Sequence, residues 1–180
     1  MEEKIVYFEN PGEGNTAEVL KLAKERAAAR GIKKVVLAST RGNTARAAVE
    51  AFSGSDIKLV VVPWQFGFSE VQPFPPELVA ELESQGHKVH FGTMLFHAEN
   101  LYGSKVPRAL ADLLRAFSQG FKVGMEVLLM ATDGGKVDIG EKVMVLAGTG
   151  AGTDTAFVAT AAASSQLGKL HVSEIVCKPL

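Results

Sequence analysis

The sequence predicts an α/β fold with three layers, in which a mostly parallel sheet of at least five strands carries helices on both faces. Continuous apolar, β-branched runs alternate along the chain with segments whose apolar residues recur at helical spacing. Strands that alternate with helices are joined by right-handed crossovers and therefore form a doubly wound sheet. The 180 residues suffice to bury one core, so we predict a single domain over residues 1–180.

The strands and helices of this fold can be placed in order along the chain. Asn15 or Thr16 caps the first helix and Gly31 ends it, while Pro75 and Pro76 open a later one. The clearest strands are predicted at residues 4–8, 34–38, 57–62, 88–91 and 142–147. Helices are predicted at residues 17–30, 44–52, 77–85, 106–118 and 123–131.

The end of the chain fits two interpretations. Residues 155–166 are rich in alanine but also contain Thr and Val, which suits either a helix or a strand followed by a loop. We expect a strand, followed by a closing strand at residues 171–177, and this would place an antiparallel pair at the edge of the sheet. The irregular stretch 63–76 is the one long connection that the sequence predicts, and long loops in compact domains are often functional.

Charge and composition exclude several classes of protein. Nineteen basic and twenty acidic residues give a net charge of -1, and no basic run is longer than Lys33-Lys34, so we expect no nucleic-acid partner. The N-terminus lacks the pattern of a signal peptide, and no apolar stretch approaches the roughly 18 residues of a membrane span, which predicts a cytoplasmic protein. The single cysteine, Cys177, lies in a predicted strand and is expected to be buried packing.

Two strand ends resemble each other and predict a ligand site. The strand at 34–38 runs into a loop at residues 39–44, here called the hydroxyl loop, and the strand at 142–147 runs into residues 148–154, here called the glycine loop. In a parallel sheet both loops lie at the carboxyl edge, where ligands bind near the topological switch point. We therefore expect the two loops to face one ligand.

The hydroxyl loop has the chemistry of an anion site. Gly42 allows close approach of the backbone, Ser39, Thr40 and Thr44 offer hydroxyl donors, and a helix that begins near Thr44 offers free N–H groups and the positive end of its dipole. The alternative is that these residues only cap the helix and make a turn. The predicted contacts in the two loops are Ser39, Thr40, Arg41, Gly42, Asn43, Thr44, Gly148, Thr149, Gly150, Ala151, Asp154 and Thr155. On this interpretation Gly42→Asp should abolish binding of the phosphate and leave the fold intact.

Further candidates lie in two other loops at the same edge. Trp64, Phe66 and Phe68, with Gln65 and Gly67 between them, form an aromatic cluster that could hold a planar heterocycle or could simply pack under the long loop.

A histidine, His97, follows the strand at 88–91 and could also meet the ligand, although a hydrogen-bonded loop histidine is the plainer interpretation. His87 and His90 are three apart on that strand and should point to opposite faces, so we predict no metal site there.

Several sharper motifs are absent or incomplete. Neither loop has the spacing and the lysine of a P-loop. Gly12-x-Gly14-x-x-Ala17 has part of the dinucleotide fingerprint, but Pro11 precedes it and the next strand ends in Ser39, where an acidic ribose ligand is expected. No hydrolase triad or carboxylate pair can be found, so the sequence identifies no catalytic residue.

The hydroxyl loop carries a family resemblance. Its sequence Ser39-Thr40-Arg41-Gly42-Asn43-Thr44-Ala45 matches the pattern Ser/Thr-x-x-Gly-x-Ser/Thr-Ala. With the later glycines (Gly120, Gly124, Gly140 and Gly148) and the run Thr153-Asp154-Thr155, it resembles the C-terminal α/β domain of pyruvate kinase, in which such a loop binds a sugar-phosphate effector. The resemblance runs from about residue 30 onward. It is strongest to stand-alone archaeal proteins of this type, for which it extends to residues 7–9 and 12–16.

The resemblance implies a fold and a ligand. It implies a pyruvate kinase C-terminal-like domain without kinase activity, because the barrel and lid that carry catalysis in the kinase have no counterpart here. The glycine loop lacks the tryptophan and arginine of the effector site, which disfavours fructose bisphosphate.

For the stand-alone family the implied cofactor is flavin mononucleotide (FMN). The alternatives are a flavin-dependent oxidoreductase, in which His97 or Asp154 moves a proton, and a sugar-phosphate-sensing regulatory or assembly module that forms a homo-oligomer.

Overall fold

The computed structural model describes residues 2–180 and confirms the α/β class, with one mixed seven-stranded sheet. The strands are β1 (Val6–Phe8), β2 (Lys34–Ala38), β3 (Lys58–Val62), β4 (Lys88–Val89), β5 (Lys142–Ala147), β6 (Thr155–Thr160) and β7 (His171–Pro179). Their order across the sheet is β1-β7-β6-β5-β2-β3-β4. Six strands run in one direction, and β6 runs against them. The prediction of a mostly parallel sheet is therefore confirmed.

The helices follow the predicted order with shifted ends. They are α1 (Thr16–Arg30), α2 (Asn43–Ala51), α3 (Pro76–Ser84), α4 (Glu99–Tyr102), α5 (Val106–Arg115) and α6 (Gln119–Asp133). The helix predicted to run to residue 118 ends at Arg115, because Ser118 caps α6 instead: its Oγ accepts the N–H of Phe121 at 2.9 Å. Helix α4 was not predicted from the sequence. Within residues 2–180 no helix is both long enough and apolar enough to cross a membrane.

Helices cover both faces of the sheet, as predicted. Leu37 of β2 packs in a core with α1, α2 and α3, including Val19 and Leu78. The next side chain back along the strand, Val36, packs on the opposite face against α6, including Leu128. This alternation follows from the period of two along a strand and gives the three-layer arrangement.

The antiparallel strand lies inside the sheet and not at its edge, so that part of the prediction was wrong. Residues 155–160 form a strand, as expected, and the short glycine loop between β5 and β6 leaves no room for a crossover helix, which needs about a dozen residues. The chain must therefore reverse. β7 then reverses again, and β1 pairs parallel with it, with Val6 opposite Cys177. Cys177 is fully buried, as predicted.

The predicted strand at residues 88–91 is reduced to the two residues of β4. His90 lies beyond its end, so the argument that His87 and His90 point to opposite faces of a strand does not hold. The ring of His87 is occupied by another contact, because its Nδ1 accepts the N–H of Leu59 at 3.3 Å. The backbone N–H of His90 donates to the carbonyl of Val61 at 2.9 Å. Within residues 2–180 no group of three or more His, Cys, Asp or Glu side chains is placed to hold a metal ion.

Helix α6 lies close against the sheet at Gly124. A Cβ added to this glycine would lie 2.5 Å from Cε1 of Phe157 and 3.2 Å from Cγ1 of Val145. Phe157 is fully buried, and its ring also packs against Phe121 at a centroid distance of 4.7 Å. The absence of a side chain at Gly124 therefore sets how near α6 lies to β5 and β6.

We predict that Gly124→Ala destabilises the protein. Alanine favours a helix interior over glycine by about 1 kcal/mol, but the added methyl group would overlap Phe157, and overpacking of this kind costs about 1–3 kcal/mol. Urea unfolding measures the difference, with Gly14→Ala as the control, because a Cβ at Gly14 meets nothing within 4 Å. An unchanged or increased free energy of unfolding in Gly124→Ala would show that the contact does not limit the packing of α6.

Candidate functional site

The hydroxyl loop leaves β2 next to β5, at the point where the chain order across the sheet reverses. Ser39 begins the loop: its N–H donates to the carbonyl of Val62 at 3.3 Å, and its Oγ accepts the N–H of Ala45 at 3.2 Å. The capping role considered in the sequence analysis is thus present. It leaves the Ser39 hydroxyl proton free to donate, because a hydroxyl can accept one hydrogen bond and donate another.

The backbone of the same loop carries a run of unused donors. The N–H groups of residues 40–44 have no hydrogen-bond acceptor within the described residues 2–180. They surround the N-terminus of α2, where the helix dipole also favours negative charge. Successive free N–H groups at a helix start form an anion-binding concavity. The hydroxyl loop can therefore bind a phosphate without a lysine.

Gly42 shapes this loop in two ways. Its φ of 87° lies in the left-handed region, and a Cβ at this position would overlap Cδ2 of the buried Leu78 in α3. The structure contradicts the expectation that Gly42→Asp leaves the fold intact, because the substitution would strain the backbone and push against the side chain of Leu78. A charge substitution that tests the loop has to be made at another residue.

The glycine loop forms the opposite wall. A cavity of about 260 Å³ lies between the two loops, lined by Ala38, Ser39, Thr40, Arg41, Asn43, Thr44, Trp64, Gln119, Val123, Gly148, Gly150, Ala151 and Gly152. Gly150 and Gly152 both have positive φ, of 76° and 69°. A Cβ at Gly152 would also overlap Glu13 and the hydroxyl of Thr16. Because Gly152 has no side chain, the glycine loop can pack directly against the N-terminal segment at Glu13 and Thr16.

Asp154 does not face this cavity. Its side chain is fully buried, with Oδ2 accepting the N–H groups of Gly12 at 2.9 Å and Thr149 at 3.0 Å, and Oδ1 accepting the hydroxyl of Thr155 at 2.8 Å. Thr155 is also fully buried, and its Oγ1 lies 3.1 Å from Ser118 Oγ. Asp154 and Thr155 therefore hold the loop and the N-terminus of α6 in place, and we do not assign them to the ligand.

A second cavity of about 280 Å³ adjoins the first. The two cavities share Ala38, Thr40, Trp64, Gln119 and Val123 as lining residues. Most of the remaining wall is apolar. The side chains that line only the second cavity are Val62, Pro63, Phe68, Met94, His97, Lys122, Glu126, Val127 and Met130. A ligand with a polar end and a flat apolar body could extend from one cavity into the other.

Charged side chains lie in the wall of this apolar cavity. Lys122 Nζ and Glu126 Oε2 form an ion pair of 2.6 Å, one helical turn apart on α6, with exposed fractions of only 2% and 3% for the two side chains. Burial lowers the pKa of Lys122 below its usual value, while the Glu126 carboxylate acts in the opposite direction. His97, which the sequence analysis singled out, lies at the rim with Nδ1 3.1 Å from Glu126 Oε1.

The aromatic loop contributes two rings to the site. Trp64 and Phe68 pack edge to face with centroids 5.1 Å apart, and Phe68 packs in the same way on the ring of His97, also at 5.1 Å. Phe66 instead lies against Phe91 at 4.8 Å and lines neither cavity. Two of the three rings therefore line the second cavity, whereas Phe66 is 67% exposed and does not pack under the loop.

Two predicted contacts from this loop lie away from the cavities. Gln65 Oε1 accepts the N–H of Met94 at 2.6 Å and so joins the loop to the segment after β4. Gly67 turns the chain with a φ of 80°. Thr149 lines neither cavity with its side chain and uses its N–H to bind Asp154. We assign these three residues to the structure of the loops.

A larger groove, of about 1010 Å³, lies elsewhere, between the N-terminal residues and α1. Its wall includes Glu3, Lys4 and Arg26. Arg26 is already paired with Glu174 at 2.5 Å and with Glu3 at 3.0 Å. Because the run of free N–H groups at a helix N-terminus lies in the hydroxyl loop and not at this groove, we place the candidate site at the two smaller cavities.

The contribution of α6 to the site was not predicted from the sequence. Gln119, Lys122, Val123 and Glu126 lie one to two turns apart on this helix and line the cavities. A signal was available: α6 is apolar almost all round, and a Lys and a Glu four residues apart on such a helix have to be buried together.

No protein-family model matches the chain.

We predict that Asp154→Ala lowers the free energy of unfolding by about 2–4 kcal/mol, because it leaves the N–H groups of Gly12 and Thr149 without an acceptor. Asp154→Asn should cost less, since its amide oxygen can accept both N–H groups and its NH₂ can donate to Thr155. Chemical unfolding measures the stability, and hydrogen exchange at Gly12 and Thr149 locates the change. Asp138→Ala, at an exposed site, is the control. Equal stability of the Asp154→Ala and Asp138→Ala variants would contradict a structural role.

Proposed function

We propose that the protein binds a phosphate ester of a planar heterocycle, FMN in the first instance, across the two adjoining cavities at the carboxyl edge of the sheet. The observation that carries the proposal is the run of unused N–H donors in the hydroxyl loop, which line a cavity that adjoins an aromatic-lined one. The donor set fits the phosphate of FMN, and the aromatic lining of the second cavity fits its ring.

The phosphate end belongs on the hydroxyl loop. The free N–H groups of residues 40–44, the hydroxyls of Ser39, Thr40 and Thr44, and the N-terminus of α2 supply hydrogen bonds and positive potential in one place. Arg41 also lines this cavity and adds a full positive charge. A phosphate dianion matches this set better than a carboxylate does, because it offers three strong acceptor oxygens in place of two.

The ring end belongs in the second cavity. Trp64 and Phe68 supply aromatic surface, and Val62, Val127 and Met130 supply an apolar floor. Cavities of this composition bind flat ring systems by burial of apolar area and by ring contacts. The polar chain of FMN, between phosphate and ring, would pass the shared wall at Thr40 and Gln119. When bound, FMN would supply redox chemistry that the side chains lack.

The proposal includes the fold family. The pattern Ser/Thr-x-x-Gly-x-Ser/Thr-Ala that resembles the pyruvate kinase C-terminal domain occupies the hydroxyl loop, at the wall of the first cavity, and the mixed α/β sheet is compatible with such a domain. A sugar-phosphate ligand would use the same loop and leave the aromatic cavity without a ring to bind. We therefore favour the flavin, and binding measurements with FMN and with a sugar phosphate distinguish these two ligands.

We predict that the purified protein binds FMN and that Asn43→Asp weakens the affinity about tenfold or more. Asn43 lines the first cavity at the first position of α2, where an aspartate is favourable for the helix but would repel a phosphate. The measurement is quenching of flavin fluorescence on titration, together with mass spectrometry of any ligand that denaturation releases. Asn100→Asp, exposed on α4 and away from both cavities, is the matched control.

The outcomes separate the candidates. Weaker FMN binding in Asn43→Asp with normal binding in Asn100→Asp supports the proposal. Absence of FMN binding by the wild-type protein rejects the flavin, and direct binding of a sugar phosphate would then favour the regulatory module. Equal FMN affinity in the wild-type protein and Asn43→Asp rejects the hydroxyl loop as the phosphate site.

A further inference from the structure

Burial of the Lys122–Glu126 ion pair carries a large desolvation free energy. Removing two charges from water costs several kcal/mol for each ion, and apolar residues of similar volume are often as stable or more so. The pair lies nearly fully buried on α6, among Val123, Val127 and Met130. A pair that stability alone does not require, placed in the wall of a cavity, suggests a use for its charge.

Glu126 has its hydrogen-bonding capacity met inside the protein. Its Oε2 accepts from Lys122, and its Oε1 accepts the N–H of Phe96 at 2.8 Å and lies 3.1 Å from His97 Nδ1. These contacts come from α6 and from the segment after β4, and they fix the carboxylate at one position. Glu126 is therefore held as the acceptor that orients Lys122.

Lys122 is only partly satisfied. An ammonium group has three N–H donors, and within residues 2–180 Glu126 is the one hydrogen-bond acceptor that Lys122 has. Its Nζ also lies 5.4 Å from the ring centroid of Phe96, a cation–π contact that uses no N–H. Two of its N–H groups therefore have no acceptor within these residues. Because a buried donor without an acceptor is costly, we expect a partner from outside the chain to accept from them.

We propose that Lys122 is the ring-recognition residue of the site, donating hydrogen bonds from its ammonium group to carbonyl oxygens of the heterocycle whose phosphate lies on the hydroxyl loop. This inference rests on the proposed function and adds the chemistry that the ring must have. The ring carries acceptor oxygens at the edge that faces Lys122. Glu126 is a positioning residue, and it contacts Lys122 and not the ligand.

The test replaces the ion pair by a neutral pair of similar shape. Lys122→Met alone would leave the Glu126 charge buried and unpaired, so the experiment uses Lys122→Met/Glu126→Gln, in which the amide oxygen of glutamine can still accept the N–H of Phe96. The matched control is Lys21→Met/Glu18→Gln, which neutralises an exposed Lys–Glu ion pair on α1. The probes are FMN, riboflavin, which is the ring without the phosphate, and inorganic phosphate.

We expect the double variant to weaken the affinity for FMN and for riboflavin by a similar factor, about tenfold or more, and to leave the affinity for inorganic phosphate within about twofold. The midpoint potential of bound FMN should become more negative, because a cation beside the ring favours the added negative charge of reduction. The control pair should change neither quantity.

Three results would overturn the inference. FMN and riboflavin affinities of the double variant within twofold of wild type would reject Lys122 as a ring donor, and the proposed function would stand. If the double variant loses affinity for inorganic phosphate and Asn43→Asp does not, the phosphate site lies at Lys122 and not at the hydroxyl loop. Failure of the wild-type protein to bind either flavin would reject both proposals.

Discussion

The buried carboxylate of Asp154 must find all its hydrogen-bond donors inside the protein, and the donors it uses join three separate parts of the chain. Oδ2 holds the N–H groups of Gly12 and Thr149, so the segment after β1 and the glycine loop are tied together. Oδ1 takes the hydroxyl proton of Thr155, which leaves the Ser118 hydroxyl to donate to Thr155 Oγ1 at the start of α6. The wall of the first cavity and the helix that lines both cavities thus depend on one side chain.

The position of α6 then decides what the second cavity contains. Gly124 lets the helix lie close against Phe157, and this closeness carries Lys122 and Glu126 out of solvent and into the wall of the cavity. A helix held further out would leave the same two residues as an ordinary exposed pair, worth less than about 1 kcal/mol. Their charges acquire importance through burial, since electrostatic interactions strengthen as water is excluded.

The sequence was sufficient for features that depend on local pattern. Apolar runs and helical spacing predicted the order of the elements, and the placement of the hydroxyl loop at a sheet edge beside the glycine loop followed from strand direction. It was insufficient where the outcome depends on distant residues. Asp154 was assigned to the ligand because it lies in a loop, and only the fold shows that Gly12 occupies its carboxylate. The apolar surroundings of Lys122 and Glu126 on α6 indicated that they are buried together, but their position in the cavity wall depends on contacts made by Gly124 and Phe96.

The burial of Cys177 has a practical consequence. It is the single cysteine of the chain and lies in β7, paired with Ala156 of β6 on one side and Val6 of β1 on the other. Burial raises the pKa of its thiol to about 12, so at neutral pH the group is both inaccessible and protonated, and the thiolate is the form that reacts. Alkylation of the native protein thus requires these strands to separate. The alkylation rate of Cys177 therefore reports how often this side of the sheet opens, and no additional cysteine has to be introduced by mutation.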